Sequence, residues 1–309
     1  MYSFNRFLIP LFWCGVFALS GCADGLLSDA VTPTAAATRP PRVVVVTATP
    51  SHTPSPPTAT PTRAATPTSA PTATPFITPP APGEAVEIPI LMYHHLNPLP
   101  PDASELLRTW TVSPQQFIAQ LDYLQAHGFH TITLKQLADF FERGAPLPTR
   151  PIVITIDDGW LDAYTVAYPE LVKRKMVAVF FVPTNYATAG GELFLNWAQA
   201  AEMSRAGMEL GGHTISHEDL TQTDLAEMRR QLTASKALME EKIGQPVVSL
   251  SYPFGAHNAR VVAETQAAGY RAAVILCCGY QQQAENLLTL PRIRVSYEDT
   301  LEDFAGRLP

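Results

Sequence analysis

The chain has 309 residues, 46% of them hydrophobic and 16% charged, with a formal net charge of −7. The stretch from residue 85 onward suits one domain with a sizeable core, and the acidic balance argues against nucleic acid or a strongly anionic partner. Four cysteines, two of them within the first 22 residues, exclude a disulfide framework.

Residues 1–22 have a cationic start at Arg6 and an apolar run from Phe7 to Leu19, which is too short to span a bilayer and reads as a signal peptide. The run ends in Leu19-Ser20-Gly21-Cys22, which resembles the bacterial lipobox; Cys22 would become a lipid-modified first residue and tie an exported protein to a membrane, facing the extracytoplasmic side. An ordinary secretory signal and an uncleaved anchor are the alternatives, and both also export the domain. Residues 23–86 read as a stalk, with 14 of the 29 prolines falling in 30–83 among repeated Thr and Ala. Extended polyproline II at ~3.1 Å per residue would reach roughly 150 Å. The dense threonines suit O-linked sugars, and Val43 to Val46 interrupts the pattern as a transient strand. From residue 85 onward there are 17 basic and 25 acidic residues, a net −8 that fits a neutral or basic substrate.

Within the domain, 87–309, Ser113-Pro114-Gln115-Gln116 predicts a capped helix start, and Phe117, Leu121 and Leu124 keep one apolar face until Gly128. Strands and helices then alternate: strand 130–134, helix 135–143, strand 152–156, helix 162–175, strand 177–182 and helix 198–205. Strand 208–210 leads to a long helix, 225–243, capped by Thr223. Strand 247–252, helix 259–268, strands 272–277 and 292–295, and helix 301–308 complete the chain. The adjacent Cys277 and Cys278 fall on opposite faces of a strand and read as small core or surface residues. Repeated β-α units with apolar strands imply an α/β fold with a parallel sheet, doubly wound or closed into a barrel.

Two adjacent carboxylates, Asp157 and Asp158, stand where the apolar run Pro151-Ile152-Val153-Ile154 emerges into the turn at Gly159. Charge there is costly unless a cation or a proton offsets it. His213 and His217, at i, i+4, would lie on one face of a helical turn and grip one ion, with Asp158 as third ligand and Asp157 left as general base. Each piece has an ordinary reading as a turn or a solvated helix face. Their conjunction at the ends of two strands is what favours a site, and residues just past strand ends match the rim of a (β/α) barrel.

Thr155-Ile156-Asp157-Asp158-Gly159 resembles the Thr-Phe-Asp-Asp-Gly signature of the NodB-type polysaccharide deacetylases, carbohydrate esterase family 4, and His213-Thr214-Ile215-Ser216-His217 resembles their second motif. Ser251-Tyr252-Pro253-Phe254-Gly255 resembles the third, in which an Arg usually stands where Ser251 does. The segments Ile90 to His95 and Leu290 to Val295 resemble the poly-N-acetylglucosamine deacetylase subgroup. The family's fourth-motif Asp-x-x-Trp and its late Leu-x-His are not evident.

The resemblance implies a distorted (β/α)7 barrel and hydrolysis of N-acetyl groups on an N-acetylglucosamine polysaccharide, with a divalent metal, zinc first and cobalt, nickel or manganese as alternatives. Asp158, His213 and His217 would hold the metal, Asp157 would be the base, and the Phe254 backbone N–H would stabilise the oxyanion. His94 would be the catalytic acid, with His95 as its rival. Arg292 would orient Asp157 in place of the missing Arg. Trp160 and Tyr252 are platforms for a sugar ring or, equally, core residues. Two other classes compete: a lipid-anchored glycan-binding protein with a degenerate site, and a metal-independent glycoside hydrolase, which needs its carboxylates about 5 to 9 Å apart across the bond.

Overall fold

Ile90–Tyr93, Pro151–Ile156 and Val179–Val182 are buried at every position, as befits strands covered on both faces. A computed structural model describes residues 76–309; the leader, 1–22, and residues 23–75 of the stalk lie outside the described residues. The strands are β1 (Phe76–Ile77), β2 (Val86–Glu87), β3 (Ile90–Tyr93), β4 (His130–Thr131), β5 (Leu147–Pro148) and β6 (Pro151–Ile156), followed by β7 (Val179–Val182), β8 (Glu209–Gly212), β9 (Ser249–Ser251), β10 (Ala272–Cys278), β11 (Gln281–Gln282) and β12 (Leu290–Arg294). The helices are α1 (Glu105–Trp110), α2 (Pro114–Ala126), α3 (Leu134–Arg143), α4 (Tyr168–Lys173), α5 (Thr184–Ala189), α6 (Trp197–Arg205), α7 (Leu225–Ile243), α8 (Ala259–Ala267) and α9 (Leu301–Gly306).

Seven strands pair in the order β3-β12-β10-β9-β8-β7-β6, and the β3–β6 pairing closes the ring. Every pairing in it is parallel. β4 adds to β6 from outside the ring. The result is a seven-stranded (β/α) barrel, and parallel strands put all their C-terminal ends at one pole.

Alternation along the strands divides the core in two. Leu91, Tyr93, Ile152, Ile154 and Phe180 pack with Leu121 of α2, Met203 of α6 and Leu232 of α7. Ile90, Val153, Val179, Phe181 and Leu290 instead join Leu134, Leu137 and Phe140 of α3 in a second cluster. Ile90, Val179 and Leu290 open their strands, so α3 plugs the N-terminal pole. At the same pole β1 pairs antiparallel with β5, just before β6 begins.

Several expected elements shift for local reasons. The strand at 130–134 stops at Thr131 because the Thr133 side chain accepts from Gln136 N while Gln136 Oε1 accepts from Thr133 N, a capping box that starts α3. The helix expected at 162–175 opens as a π-helical turn over Ala163–Ala167 before α4. Asp224, not Thr223, caps α7 by accepting from Glu227 N, and the Thr223 hydroxyl donates to Leu220 O instead. Cys278 is disulfide-bonded, where a small core or surface residue was expected.

Candidate active site

β6 continues its ladder one residue beyond its end, with Asp157 N donating to Tyr93 O at 3.0 Å. Asp157 therefore keeps the inward direction of Val153 and Thr155. Its carboxylate is gripped at both oxygens by the Arg292 guanidinium of β12, Nη1 to Oδ1 and Nη2 to Oδ2, each 2.8 Å. The Ser251 hydroxyl donates to Oδ2 at 2.9 Å and accepts from Arg292 Nη2 at 3.2 Å, and Arg292 also reaches Thr155 Oγ1 and Ile275 O. Both Asp157 and Arg292 are only 2% exposed. Burial pushes the Asp157 pKa up, yet the Arg292 charge and hydrogen bonds outweigh it and hold the carboxyl below its ordinary value.

The chain reverses at once. Asp158 has φ 72° and Gly159 φ 67°, and a Cβ on Gly159 would lie 2.8 Å from Val182 Cγ1, so the turn needs glycine for both its backbone and its space. The Asp158 side chain faces the loop after β8. That loop is not the expected helical turn: Thr214 and His217 both adopt left-handed backbone, φ 64° and 61°. It is held by Gln231 of α7, whose Oε1 accepts from Ile215 N at 2.7 Å, and by Thr184 N and Asn185 N of α5 donating to Thr214 O and Ile215 O.

Despite the different backbone, the two imidazoles converge. Asp158 Oδ1 lies 3.2 Å from His213 Nε2 and 3.3 Å from His217 Nε2. His213 Nδ1 is spent on Ser251 O at 2.7 Å, which turns Nε2 toward the carboxylate. One oxygen and two nitrogens within 4.8 Å of one another fit a divalent first-row cation. Burial pushes the Asp158 pKa up, but hydrogen bonds to His213 and His217 hold it well below the carboxylate range. For His213 burial acts downward, and the Asp158 hydrogen bond with the two carboxylate charges raises the pKa overall.

The adjacent histidines after β3 part company. The His94 ring packs on Trp110 at 4.5 Å; burial lowers its pKa, while the charges of Asp157 and Asp158 act in the opposite sense. His95 packs at a tilt on Trp160 at 4.3 Å and points Nδ1 at Asp162 Oδ2, 3.4 Å away. Phe254 has φ 59°, is 63% exposed, and meets the His217 ring edge-on at 4.6 Å. A Cβ on the following Gly255, φ 65°, would lie 2.5 Å from Leu276 Cβ. Asp158, Thr214, His217 and Phe254 are four of the six non-glycine residues with positive φ among the described residues. Left-handed backbone costs on the order of 1–3 kcal/mol at such residues and clusters at functional sites.

Asp157, Asp158, His94, His213, His217 and Phe254 all border one cavity of about 780 Å³, and Arg292 and His95 line it too. Tyr252 is 1% exposed with its hydroxyl donating to Leu288 O, so it is core rather than a sugar platform. The two aspartates turn to different partners, Arg292 and the histidines, instead of facing each other across a substrate bond. Sequence reasoning missed Ser251 and Thr155 as partners of the Asp157–Arg292 pair; a hydroxyl at the end of a buried strand is the signal that would have found them. It also missed Gln231, which carries no local signal, because its role depends on where α7 packs.

Residues 144–273 match the model of the polysaccharide deacetylase family. The chain carries a polysaccharide deacetylase domain. It is 29% identical over 210 residues to YxkH of Bacillus subtilis (strain 168), itself a provisional polysaccharide deacetylase, covering 68% of this chain and 72% of that one. It is 25% identical over 219 residues to the poly-beta-1,6-N-acetyl-D-glucosamine N-deacetylase of Staphylococcus aureus (strain MRSA252), covering 66% and 74%. The Streptococcus pyogenes deacetylase PplD, solved in complex with acetate, superposes with a TM-score of 0.67 at 27% identity over 73% of this chain and 99% of that one. The closed parallel ring is accordingly a distorted (β/α)7 barrel of the NodB type.

Proposed function

We propose that this polysaccharide deacetylase is a metal-dependent N-deacetylase acting on an N-acetylglucosamine-containing polysaccharide at the cell envelope, tethered there through lipid on Cys22. The observation that carries the catalytic reading is the single Asp158 oxygen standing 3.2 and 3.3 Å from the two imidazole nitrogens, beside a second carboxylate held ionised by Arg292. A divalent cation bound by Asp158, His213 and His217, zinc or else cobalt, nickel or manganese, supplies Lewis acidity toward the acetyl carbonyl and the attacking water.

The chain's own groups do the rest. Asp157 takes the proton of the attacking water, and the two-point grip of Arg292 with the Ser251 hydroxyl fixes the direction of its carboxylate. The Phe254 N–H donates to the carbonyl oxygen as charge develops there. His94 delivers a proton to the departing sugar amine; a ring whose burial disfavours its charge is a ready donor once protonated. The sugar preference draws on the named substrate of the Staphylococcus aureus relative, and an acidic domain suits a polymer that becomes cationic as it loses acetyl groups.

Acetate release from an N-acetylglucosamine oligomer is expected from the purified protein, lost with a chelator and restored by added metal. Full activity in chelator defeats the metal dependence, and no release with any metal defeats the substrate. Membrane partition of wild type, lost in Cys22→Ser, tests the tether.

A further inference from the structure

The two oxygens of Asp158 have different neighbours. Oδ1 faces His213 and His217, whereas Oδ2 accepts a hydrogen bond of 3.2 Å from the indole N–H of Trp160. Nothing in the left-handed turn itself fixes which oxygen faces the histidines, because rotation about the last bond of an aspartate is soft. We propose that Trp160 is the positioning residue of the metal centre: its N–H holds Oδ2 aside and presents Oδ1 alone to the point where the two imidazoles converge. The inference rests on reading Asp158, His213 and His217 as metal ligands.

The indole is suited to this by chemistry and by its setting. Its nitrogen is a donor only, so it neither titrates nor competes for a cation, and the ring gives the N–H a fixed direction that a hydroxyl lacks. The ring is packed between two aromatic neighbours. It packs against His95 at 4.3 Å and Phe194 at 4.7 Å, and Phe194 stacks in turn on Tyr186 at 4.3 Å. The backbone adds an antiparallel bridge between Trp160 and Phe194, flanked by Leu161 N to Leu193 O at 2.8 Å and Leu195 N to Gly159 O at 3.0 Å. At the other side of the stack Asp162 Oδ2 accepts from Leu96 N and from Asn97, and faces His95 Nδ1. These neighbours hold the ring in place and direct its N–H at Asp158, while the ring itself still lines the cavity. Partners that orient metal ligands typically contribute 10–100-fold in metal affinity.

Cobalt(II) titration of the metal-stripped full-length protein, read by chelator competition and by the visible spectrum of the bound ion, tests the proposal. Trp160→Phe, which keeps a stacked ring and removes the N–H, should bind cobalt about 10–100-fold more weakly with an altered spectrum. Phe194→Leu, which loosens the stack and keeps the N–H, should weaken binding and shift the spectrum clearly less than Trp160→Phe does. Should Phe lower the melting temperature of the metal-free protein, 3-benzothienylalanine at position 160 replaces the N–H by sulfur in a ring of nearly the same shape, with the same result expected. Wild-type affinity and spectrum in the variants lacking the N–H overturn the proposal, as does an equal loss in Phe194→Leu, which would assign the effect to packing. A wild type that binds no cobalt defeats the metal reading itself and this inference with it, a result distinct from tight binding that ignores position 160.

Discussion

The two poles of the barrel interior are built from the same strands, yet they treat charge in opposite ways. Near the N-terminal ends Ile90, Val153, Val179 and Leu290 meet Leu137 and Phe140 with no exposed surface. Near the C-terminal ends Thr155, Asp157, Ser251, His213 and Arg292 are buried to a similar degree. A carboxyl at each pole makes the contrast concrete. Glu209, at the start of β8, accepts from Ser249 Oγ and Lys135 N, and burial still pushes its pKa up. Asp157 is pushed the same way by burial but is held down by Arg292. Neutral hydroxyl and amide donors do not offset desolvation at Glu209, whereas a two-point guanidinium does at Asp157.

The largest expected effect breaks the chemistry of the polar pole and leaves its shape intact. Asp157→Asn should lower turnover on an N-acetylglucosamine oligomer by about 10² to 10⁴ while bound metal, measured by elemental analysis, stays level; unchanged turnover removes Asp157 from the reaction. Next come two stability losses of similar size and different origin. Arg292→Ala strands a buried carboxylate and should cost about 3–5 kcal/mol in urea unfolding, and adding Asp157→Asn should recover part of it. Leu137→Ala at the apolar pole should cost about 2–5 kcal/mol through the cavity it leaves, and no change at position 157 should recover any of that. Equal rescue in both backgrounds would mean that the poles are not energetically distinct. The smallest effect is the pH response of Glu209. Because its folded pKa lies above the ordinary glutamate value, the folded state binds the extra proton, so wild-type stability should decline as pH rises from about 4.5 through the raised value. In Glu209→Gln that part of the stability profile should be flatter, and a profile parallel to wild type would refute the assignment.

The barrel was legible because fully buried parallel strands must be written as apolar runs, and β6, β7 and β10 are. The place of the site was legible too, since Asp157 and Asp158 interrupt such a run with charge. Other features had no local trace. The i, i+4 spacing of His213 and His217 predicts a helical turn, but a loop with left-handed Thr214 and His217 brings the two rings together as well. Neither residue is glycine, so nothing in the residue types signals that backbone. α1 escaped notice because it buries none of its residues and so needs no apolar period. The indole of Trp160 finds its neighbours in loops about 65 residues before it and 34 after it, and Arg292 reaches an aspartate 135 residues away. Such pairs exist only once the ring of strands has closed.

The pairing of β1 with β5 also decides which pole of the barrel this first described segment covers. It fixes Phe76 and Ile77 beside Leu147 and Pro148, two residues ahead of the strand whose far end carries Asp157. Phe76 and Ile77 thus sit at the heel of the barrel, a full strand length from the mouth. A polysaccharide lying across the mouth would not have to pass Phe76 and Ile77, because the cavity lining does not include them.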